Sequence, residues 1–426
     1  MRNQLLAVSG LTLTVVFVGL VTLSGTLMLV ATPLVIYVLG SWLLAGPRAE
    51  LRVSRRLERE RANPGEEVRV TVTLENTGAP LAEVVARDLV PDGLRVVGGR
   101  PWGQARLDTG ESLSFSYTVV GTRGSYEFER IVVETAGDLA LRASTRSYDI
   151  QQELITLPAH RELARLPIAP RRTLVYAGTN PARRGGEGTE FFDVREHRGG
   201  ESLRHVNWRA SARSRDRLFV NEYQQERVAD VAVLLDCRSR AYPLGAAADL
   251  FDAAATAAAS LVDVIVDAGN RVGYLGYGLS LDWLSPGFGR VQRHRILNRI
   301  ARAQPGESHV FFRLDALPER LFPAGSQVIL VSPLTEDDPS ALERLQAGGY
   351  AVMVVTPDPL PPAPDADAAP ALHEAARIAR LQRAVLLRRL RHRGIAVIDW
   401  DTASPLGSAV ARAHGGIVAT WRHRHR

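Results

Sequence analysis

The densest group of residues able to do chemistry lies between Gly188 and Leu218, where seven arginines face five acids. The arginines are Arg195, Arg198, Arg204, Arg209, Arg213, Arg215 and Arg217, and the acids are Glu190, Asp193, Glu196, Glu201 and Asp216. The spacing favours charge-assisted pairs of Arg195 with Glu196 and of Arg204 with Glu201, while Trp208 offers an anchor and a stacking face. The segment is therefore interpreted as a structural clasp, a partner-binding surface, or a phosphate or nucleic-acid site.

Catalytic readings of the chain are few. All 52 basic residues are arginine, so a P-loop lysine and lysine-based chemistry are excluded. A hydrolase using Glu190, Asp193 and Glu196 remains an alternative, although neighbouring arginines would keep these acids ionised and unsuited to general-acid work. The sequence around His373 and Glu374 resembles a zinc-protease helix, but Arg377 replaces its second histidine. We therefore expect no enzymatic activity and no cofactor.

The N-terminus carries a long uncharged run. No charged residue lies between Arg2 and Arg48, and at 1.5 Å per residue one helix of that length would cross roughly twice the bilayer core. Residues 1–47 are therefore predicted to form a transmembrane helical hairpin, with spans at 5–23 and 26–44. The arginines that follow, Arg48, Arg52, Arg55 and Arg56, predict a cytoplasmic body with both termini cytoplasmic. The lone Cys237 agrees with a reducing compartment.

The next region alternates with a period of two. Val68 to Leu74 places apolar residues on one face and polar residues on the other, and Leu113 to Val119 repeats the pattern. With further strands expected at residues 83–88, 94–97 and 126–134, residues 48–157 are predicted to be an immunoglobulin-like β-sandwich. Residues 158–187 contain repeated proline and glycine, which favours a linker.

The C-terminal part alternates buried strands with helices. Val231 to Leu235 is a short apolar run, followed by a helical stretch near 246–267 and another strand at 271–277. Runs at 328–331, 351–355 and 395–398, with a helix at 371–391, extend the pattern. After a segment at 188–228 that contains the arginine-rich stretch, residues 229–426 are therefore predicted to be an α/β, doubly wound domain of Rossmann-like order.

The string GTEFFDVREHRGGESLRHVNWRASAR, residues 188–213, closely resembles the hallmark of the domain of unknown function 58 (DUF58) family, bacterial membrane proteins with a C-terminal von Willebrand factor A-like domain. The matching residues are Gly188, Glu190, Phe191, Arg195, Glu196, Gly200, Arg204, Trp208, Ala212 and Arg213. The sequence departs from the hallmark at His197, where the family usually has tyrosine, and at Glu201-Ser202, where it usually has two acids.

The resemblance implies a place for a metal ion. Von Willebrand A domains commonly bind Mg²⁺ through an Asp-x-Ser-x-Ser motif after the first strand, and the equivalent stretch here is Asp236-Cys237-Arg238-Ser239-Arg240. Arg238 and Arg240 stand at the serine positions, and a guanidinium repels cations. We therefore expect this motif to be degenerate, with Mg²⁺ unlikely to bind and Asp236 paired with Arg238 or Arg240.

The resemblance also implies a function. It indicates a non-enzymatic interaction or assembly protein of the inner (cytoplasmic) membrane that works with a MoxR-type AAA+ ATPase in the maturation of other proteins or complexes. The expected partners are the lipid bilayer and that ATPase, with no nucleic acid. A metal-dependent adhesion receptor is the other alternative, disfavoured by the broken metal motif. The top of the sheet near Asp236 is the expected partner surface, with Arg240 at its exposed rim.

Overall fold

A computed structural model describes residues 2–43, 50–136, 143–159, 163, 166–168, 170, 173–174, 180–198, 203–214, 217–243, 245, 247–360 and 369–424. The chain divides into two compact units, Met1–Leu157 and Pro158–Arg426.

The uncharged run at the N-terminus forms two helices, α1 (Arg2–Val21) and α2 (Gly25–Leu43). Among the described residues, however, the structure contains no helix with the length and apolarity needed to cross a membrane, so the predicted transmembrane hairpin is wrong. The prediction relied on the absence of charge, which is a weaker criterion than apolarity. Both helices also contain hydroxyl side chains: Thr12 donates to the carbonyl of Val8 at 2.7 Å, and Thr32 to that of Met28 at 2.8 Å.

The rest of the first unit is built from two sheets. One has the strand order β1-β3-β7-β5 and the other β2-β9-β8-β4-β6. The strands are β1 (Leu51–Leu57), β2 (Arg61–Ala62), β3 (Val68–Asn76), β4 (Leu81–Asp88), β5 (Leu94–Gly99), β6 (Trp102–Leu107), β7 (Ser112–Gly121), β8 (Gly124–Ala136) and β9 (Ala143–Thr156).

Alternating burial joins the two sheets. The strands predicted from their period of two correspond to β3 and β7, which pair antiparallel with Val68 opposite Val119 and Leu74 opposite Leu113. Along β3 every second side chain, from Val68 onward, is buried. Apolar side chains of β3 and β7 share a core with Tyr126 and Phe128 of β8, in the other sheet. The two sheets therefore pack face to face.

A buried ion pair lies inside this unit. The Arg55 guanidinium of β1 donates to the Asp88 carboxylate at 2.9 Å and to the carbonyls of Phe128 at 3.2 Å and Ile150 at 2.6 Å. The Tyr117 hydroxyl donates to the same carboxylate at 2.7 Å, and the side chains of Arg55 and Asp88 are both 0% exposed. Arg55, which the sequence pattern assigned to an exposed basic cluster, is a core residue. We call Arg55, Asp88 and Tyr117 the sandwich cluster.

The second unit contains a sheet whose main path is β14-β13-β12-β15-β16-β17. All neighbours on this path are parallel except β14, which pairs antiparallel with β13 at one edge. The strands are β10 (Thr173–Leu174), β11 (Asn180–Glu196), β12 (Phe219–Cys237), β13 (Arg271–Gly278), β14 (Leu281–Gly287), β15 (Gln327–Val331), β16 (Ala351–Pro357) and β17 (Ala396–Trp400).

In the described part of this unit the helices are α3 (Trp208–Ser211), α4 (Ala247–Asp267), α5 (Gly289–Arg302), α6 (Asp338–Ala347), α7 (Pro370–His392) and α8 (Leu406–Arg424). One face of the sheet shares a core with Leu342 and Leu345 of α6 and Leu387 and Leu390 of α7. Alternate residues such as Val231 and Val233 of β12 are buried on the other face, where α4 packs with α5. Apolar side chains on both faces explain the unbroken hydrophobic runs of these strands.

The segment predicted to be a linker contains the start of β11. This strand begins at Asn180 and pairs antiparallel with the first half of β12. Its register shifts between Ala182 and Gly185 and again between Gly186 and Phe191. Such bulges let a strand continue through a glycine-rich sequence, which is why proline and glycine content alone misplaced the boundary.

Candidate functional site

The sheet of the second unit has a topological switch point between β12 and β15. The chain moves from β12 to β13 on one side and later returns to β15 on the other side of β12. In open α/β sheets the crevice beyond the strand ends at such a point is the usual ligand position. Asp236 lies at the end of β12, and Ser332 directly follows β15. Both side chains therefore face this position.

The guanidinium of Arg238 fills the switch point. It binds the Asp236 carboxylate through Nε at 2.9 Å and Nη2 at 2.7 Å. It also binds Asp338, the first residue of α6, through Nη1 at 3.0 Å and Nη2 at 2.9 Å. The side chains of Asp236, Arg238 and Asp338 are 0%, 2% and 1% exposed. We call Asp236, Arg238, Ser332 and Asp338 the switch-point cluster.

One oxygen of each carboxylate also accepts a hydrogen bond from a surrounding loop. Ser332 Oγ donates to Asp236 Oδ2 at 2.6 Å and accepts the Leu334 N–H at 3.0 Å. The backbone N–H of Thr335 donates to Asp338 Oδ2 at 2.7 Å. The cluster thus joins the loop after β12, the loop after β15 and the start of α6.

Electrostatics keep the arginine charged. Burial by itself lowers the pKa of the Arg238 guanidinium, but the charges and hydrogen bonds of Asp236 and Asp338 outweigh that effect and raise the pKa above its ordinary value. If both acids are ionised, the guanidinium and the two carboxylates together carry a formal charge of −1. The C-terminal end of the parallel strands therefore holds a fixed internal cation.

These residues do not fit a divalent cation in the arrangement observed. Mg²⁺ needs oxygen ligands whose lone pairs are available, and each of the two carboxylates binds two guanidinium nitrogens. The sequence left open whether Asp236 pairs with Arg238 or with Arg240, and the structure shows which. Asp236 pairs with Arg238, whereas Arg240 lies 3.3 Å from Asp337.

A second layer of charges surrounds the switch-point cluster. The Arg240 guanidinium stacks over the Phe312 ring, 4.2 Å from the centroid, and Asp337 also lies 3.5 Å from Arg313. Arg313 in turn lies 3.5 Å from Asp315. We call Arg240, Phe312, Arg313, Asp315 and Asp337 the rim. Arg240, expected at an exposed rim, has a side chain that is 24% exposed, because stacking and pairing cover most of it.

The arginine-rich hallmark segment forms a hairpin with the first half of β12. Arg195 lies opposite Val220 and Glu196 opposite Phe219. The guanidinium of Arg195 donates to the carbonyl of Glu196 at 3.2 Å, while the Glu196 carboxylate lies 3.5 Å from Arg217. Gly188, Glu190 and Phe191 belong to β11, whereas Gly200 and Glu201 lie outside the described residues.

The end of this hairpin is held by short polar side chains. Asn207 caps α3 by accepting the Ala210 N–H at 2.9 Å, and Ser211 Oγ accepts the Phe219 N–H at 2.8 Å. Trp208, expected to anchor the segment and to offer a stacking face, is 66% exposed. Arg204 and Arg213 are exposed as well. The tryptophan is thus available on the surface, while Asn207 and Ser211 supply the local anchoring.

The hallmark segment and the switch-point cluster lie at opposite ends of β12. Val220 and Asp236 are 16 residues apart in this strand, which corresponds to about 50 Å at roughly 3.3 Å per residue. Sequence reasoning missed Asp338 as a neighbour of Asp236 and Arg238. Asp338-Pro339 is a helix-start signal that could have placed an acid at the sheet edge, since proline favours the first turn.

The fold and site define a mainly parallel, doubly wound sheet whose switch point is closed by an arginine. The model of a family described as "Protein of unknown function DUF58" matches residues 193–362. The matched range contains most of the hallmark hairpin, the switch-point cluster and the rim, and it supports the resemblance to that family. No curated protein matches the chain.

Solved structures with some similarity cover small parts of the chain. The β-glucosidase EmGH1 from Erythrobacter marinus is 16% identical over 24% of this chain, with a TM-score of 0.15, and this chain spans only 15% of its length. The GAE domain of GGA2p from Saccharomyces cerevisiae is 12% identical, with 26% and 96% of the two chains covered and a TM-score of 0.19. Proximal thread matrix protein 1 from the mussel byssus is 15% identical over 44% of this chain and 47% of its own, with a TM-score of 0.28. These scores carry no argument about function.

Proposed function

We propose that the chain is a non-enzymatic interaction or assembly protein that works with a MoxR-type AAA+ ATPase in the maturation of other proteins or complexes. The resemblance of residues 188–213 to the family hallmark supports this function, and the family match over residues 193–362 supports the resemblance. The location of the body in the cytoplasm, where such an ATPase acts, stays a prediction from the sequence.

The second unit is, in this proposal, a von Willebrand A-like domain that has exchanged its metal ion for an arginine. Its strand order, with one antiparallel edge strand and an aspartate at the end of the central strand, supports this assignment. Arg238 then supplies the positive charge that a cation supplies elsewhere. Partner binding should therefore need no metal ion at the switch point of this chain.

The rim carries the proposal because it combines the side chains that dominate protein interfaces. Phe312 is 47% exposed, lies under the Arg240 guanidinium and has the 67%-exposed Val310 two residues away. Aromatic residues and arginine are enriched at interface hot spots. The rim also stands at the sheet edge where doubly wound domains bind their ligands. We propose it as the surface that contacts the ATPase.

The test is capture of the ATPase by the full chain. The affinity-tagged chain and a MoxR-type AAA+ ATPase from the same genome are co-expressed, and their dissociation constant is measured after purification. Phe312→Ser should weaken the complex by at least about tenfold, a usual effect for a hot-spot aromatic residue. In a separate measurement without the ATPase, calorimetric titration of the purified chain with Mg²⁺ should show no specific binding.

Phe288→Ser provides a matched control. Phe288 is 50% exposed and lies 5.7 Å from the Arg271 guanidinium, so it resembles Phe312 in exposure and surroundings. It follows Gly287, which pairs with Val272 near the start of β13, at the end of the strands opposite to the rim. This variant should bind normally. Loss of binding in both variants, or in neither, would contradict the rim as the docking surface. A stoichiometric Mg²⁺ site in the chain alone that disappears in Asp236→Ala would contradict the exchange of metal for arginine.

A further inference from the structure

Helix α7 presents an apolar stripe to solvent. Its inner face is fixed because Leu387 and Leu390 are buried in the core and Arg383 binds Asp399 at 2.8 Å and Asp358 at 3.2 Å. The opposite face carries Ile378, Leu381 and Val385, which are 49%, 59% and 65% exposed. Their i, i+3, i+7 spacing aligns them along one line of the helix. We call these three residues the outer stripe.

The charges around the outer stripe are almost all positive. The 23-residue helix contains six arginines and a single acid, Glu374. Arg377 lies one turn before Leu381, while Arg388 and Arg389 lie one turn after Val385. Glu374 pairs with Arg377 at 2.9 Å, Glu343 of α6 binds Arg389 at 3.1 Å, and Arg388 is exposed. An apolar line flanked by arginines is the pattern of a helix that lies in a membrane interface.

We propose that α7 binds the surface of an anionic lipid membrane. The outer stripe would enter the boundary between headgroups and acyl chains, and the arginines beside it would contact lipid phosphates. In this arrangement the helix lies on the surface and does not cross the bilayer. The proposal is independent of the ATPase complex, because it concerns a different surface and a different ligand.

The shape and composition of α7 favour lipid over other anionic partners. Between Pro370 and Gln382 the helix has no buried residue, so its first half stands out from the body as a convex ridge. A deformable lipid surface accommodates such a ridge, whereas a protein partner needs a matching groove. The helix has no aromatic residue to stack on bases, and nucleic acid would gain nothing from the aliphatic stripe.

A single fluorescent label can test the contact. The native Cys237 is buried, so an introduced surface cysteine in the full chain can be labelled selectively with an environment-sensitive dye such as NBD. In Val385→Cys, vesicles of phosphatidylglycerol and phosphatidylcholine should shift the dye emission to the blue, while vesicles of phosphatidylcholine alone should not. High salt should weaken the response because part of the attraction is electrostatic.

Val291→Cys is the matched control. Val291 is 66% exposed, nearly the same as Val385, and lies on α5, which packs on the other face of the sheet. Its label should not respond. An unresponsive label at 385, an equal response at both positions, or an equal response to neutral vesicles would each overturn the proposal. As a second measurement, Ile378→Gln with Leu381→Gln should lower the vesicle affinity of the Val385→Cys chain by at least about tenfold. Unchanged affinity in a variant with normal circular dichroism would also overturn it.

Discussion

The sandwich cluster and the switch-point cluster both hold a buried guanidinium, but they pair it with different acceptors. Each buries an arginine completely, yet Arg55 meets one carboxylate and two backbone carbonyls, whereas Arg238 meets two carboxylates. The sandwich cluster is thus balanced in formal charge, and the switch-point cluster carries one surplus negative charge if its acids are ionised. Removing the arginine should therefore harm the second unit more than the first.

The largest expected effect is that of Arg238→Met. The variant leaves the carboxylates of Asp236 and Asp338, 0% and 1% exposed, together without a cation. We expect a loss of about 5 kcal/mol in the free energy of unfolding, the upper end for a broken buried pair. Chemical denaturation followed by circular dichroism measures it. Adding Asp338→Asn should restore part of the stability, because only one buried acid then lacks its partner.

Arg55→Met should cost less, about 3 kcal/mol. Asp88 would be left alone, but the Tyr117 hydroxyl would still donate to it. The two methionine variants differ mainly in the number of buried carboxylates that lose their arginine, two in Arg238→Met and one in Arg55→Met. Equal losses in the two variants would show that charge balance does not govern the stability of these clusters.

Replacing the tyrosines near the clusters should cause the next largest losses in the free energy of unfolding. Tyr117→Phe removes a hydrogen bond to a buried carboxylate and should cost about 2 kcal/mol. Tyr277 donates to a neutral acceptor, the carbonyl of Arg313, at 2.6 Å, so Tyr277→Phe should cost about 1 kcal/mol. Denaturation midpoints at pH 7 measure both. A larger loss for Tyr277→Phe would reverse the expected order.

Alkaline pH gives a separate test of Tyr277. Burial raises the pKa of Tyr277 to about 12, an effect that nearby Asp236 strengthens and Arg238 opposes. The neutral hydroxyl is therefore favoured in the folded state. Its contribution to stability should be complete below about pH 10, the ordinary tyrosine pKa, and should be lost as the pH rises through 12. Between these values stability should fall less steeply in Tyr277→Phe than in the parent, and identical slopes would contradict this view.

The smallest effects should come from exposed or half-buried charges. Arg240→Glu places an acid beside Asp337 and removes the stacking on Phe312, so we expect a loss of about 1 kcal/mol. Arg204→Glu should cost less than about 1 kcal/mol, because Arg204 is exposed. Thermal unfolding measures both. A loss above about 3 kcal/mol for Arg204→Glu would instead support the structural clasp.

Periodic patterns in the sequence predicted individual elements well. The alternation at Val68 to Leu74 predicted β3, and the apolar run at Val231 to Leu235 predicted the second half of β12. In contrast, β1 was missed because its sequence, Leu-Arg-Val-Ser-Arg-Arg-Leu, places an arginine at a core position. A buried arginine looks like a surface residue until its partner is known.

Local sequence patterns could not predict which acids the two buried arginines bind. Asp88 is 33 residues from Arg55, and Asp338 is 100 residues from Arg238. Only the packing of the sheets brings these side chains together. The sequence did restrict Asp236 to two partners, Arg238 and Arg240, because both lie in the same short loop. The choice between them depended on where α6 begins, which fixes the neighbouring Asp337 and Asp338.

Strand β12 has a consequence for how the gene can change. It runs for 19 residues from Phe219 to Cys237, and the same continuous strand serves the hallmark hairpin at one end and the parallel sheet at the other. Removing one codon within it would turn the side chains on one side of the gap to the opposite faces. We therefore expect insertions and deletions in this stretch to be selected against more strongly than substitutions, so that its length drifts less than its composition.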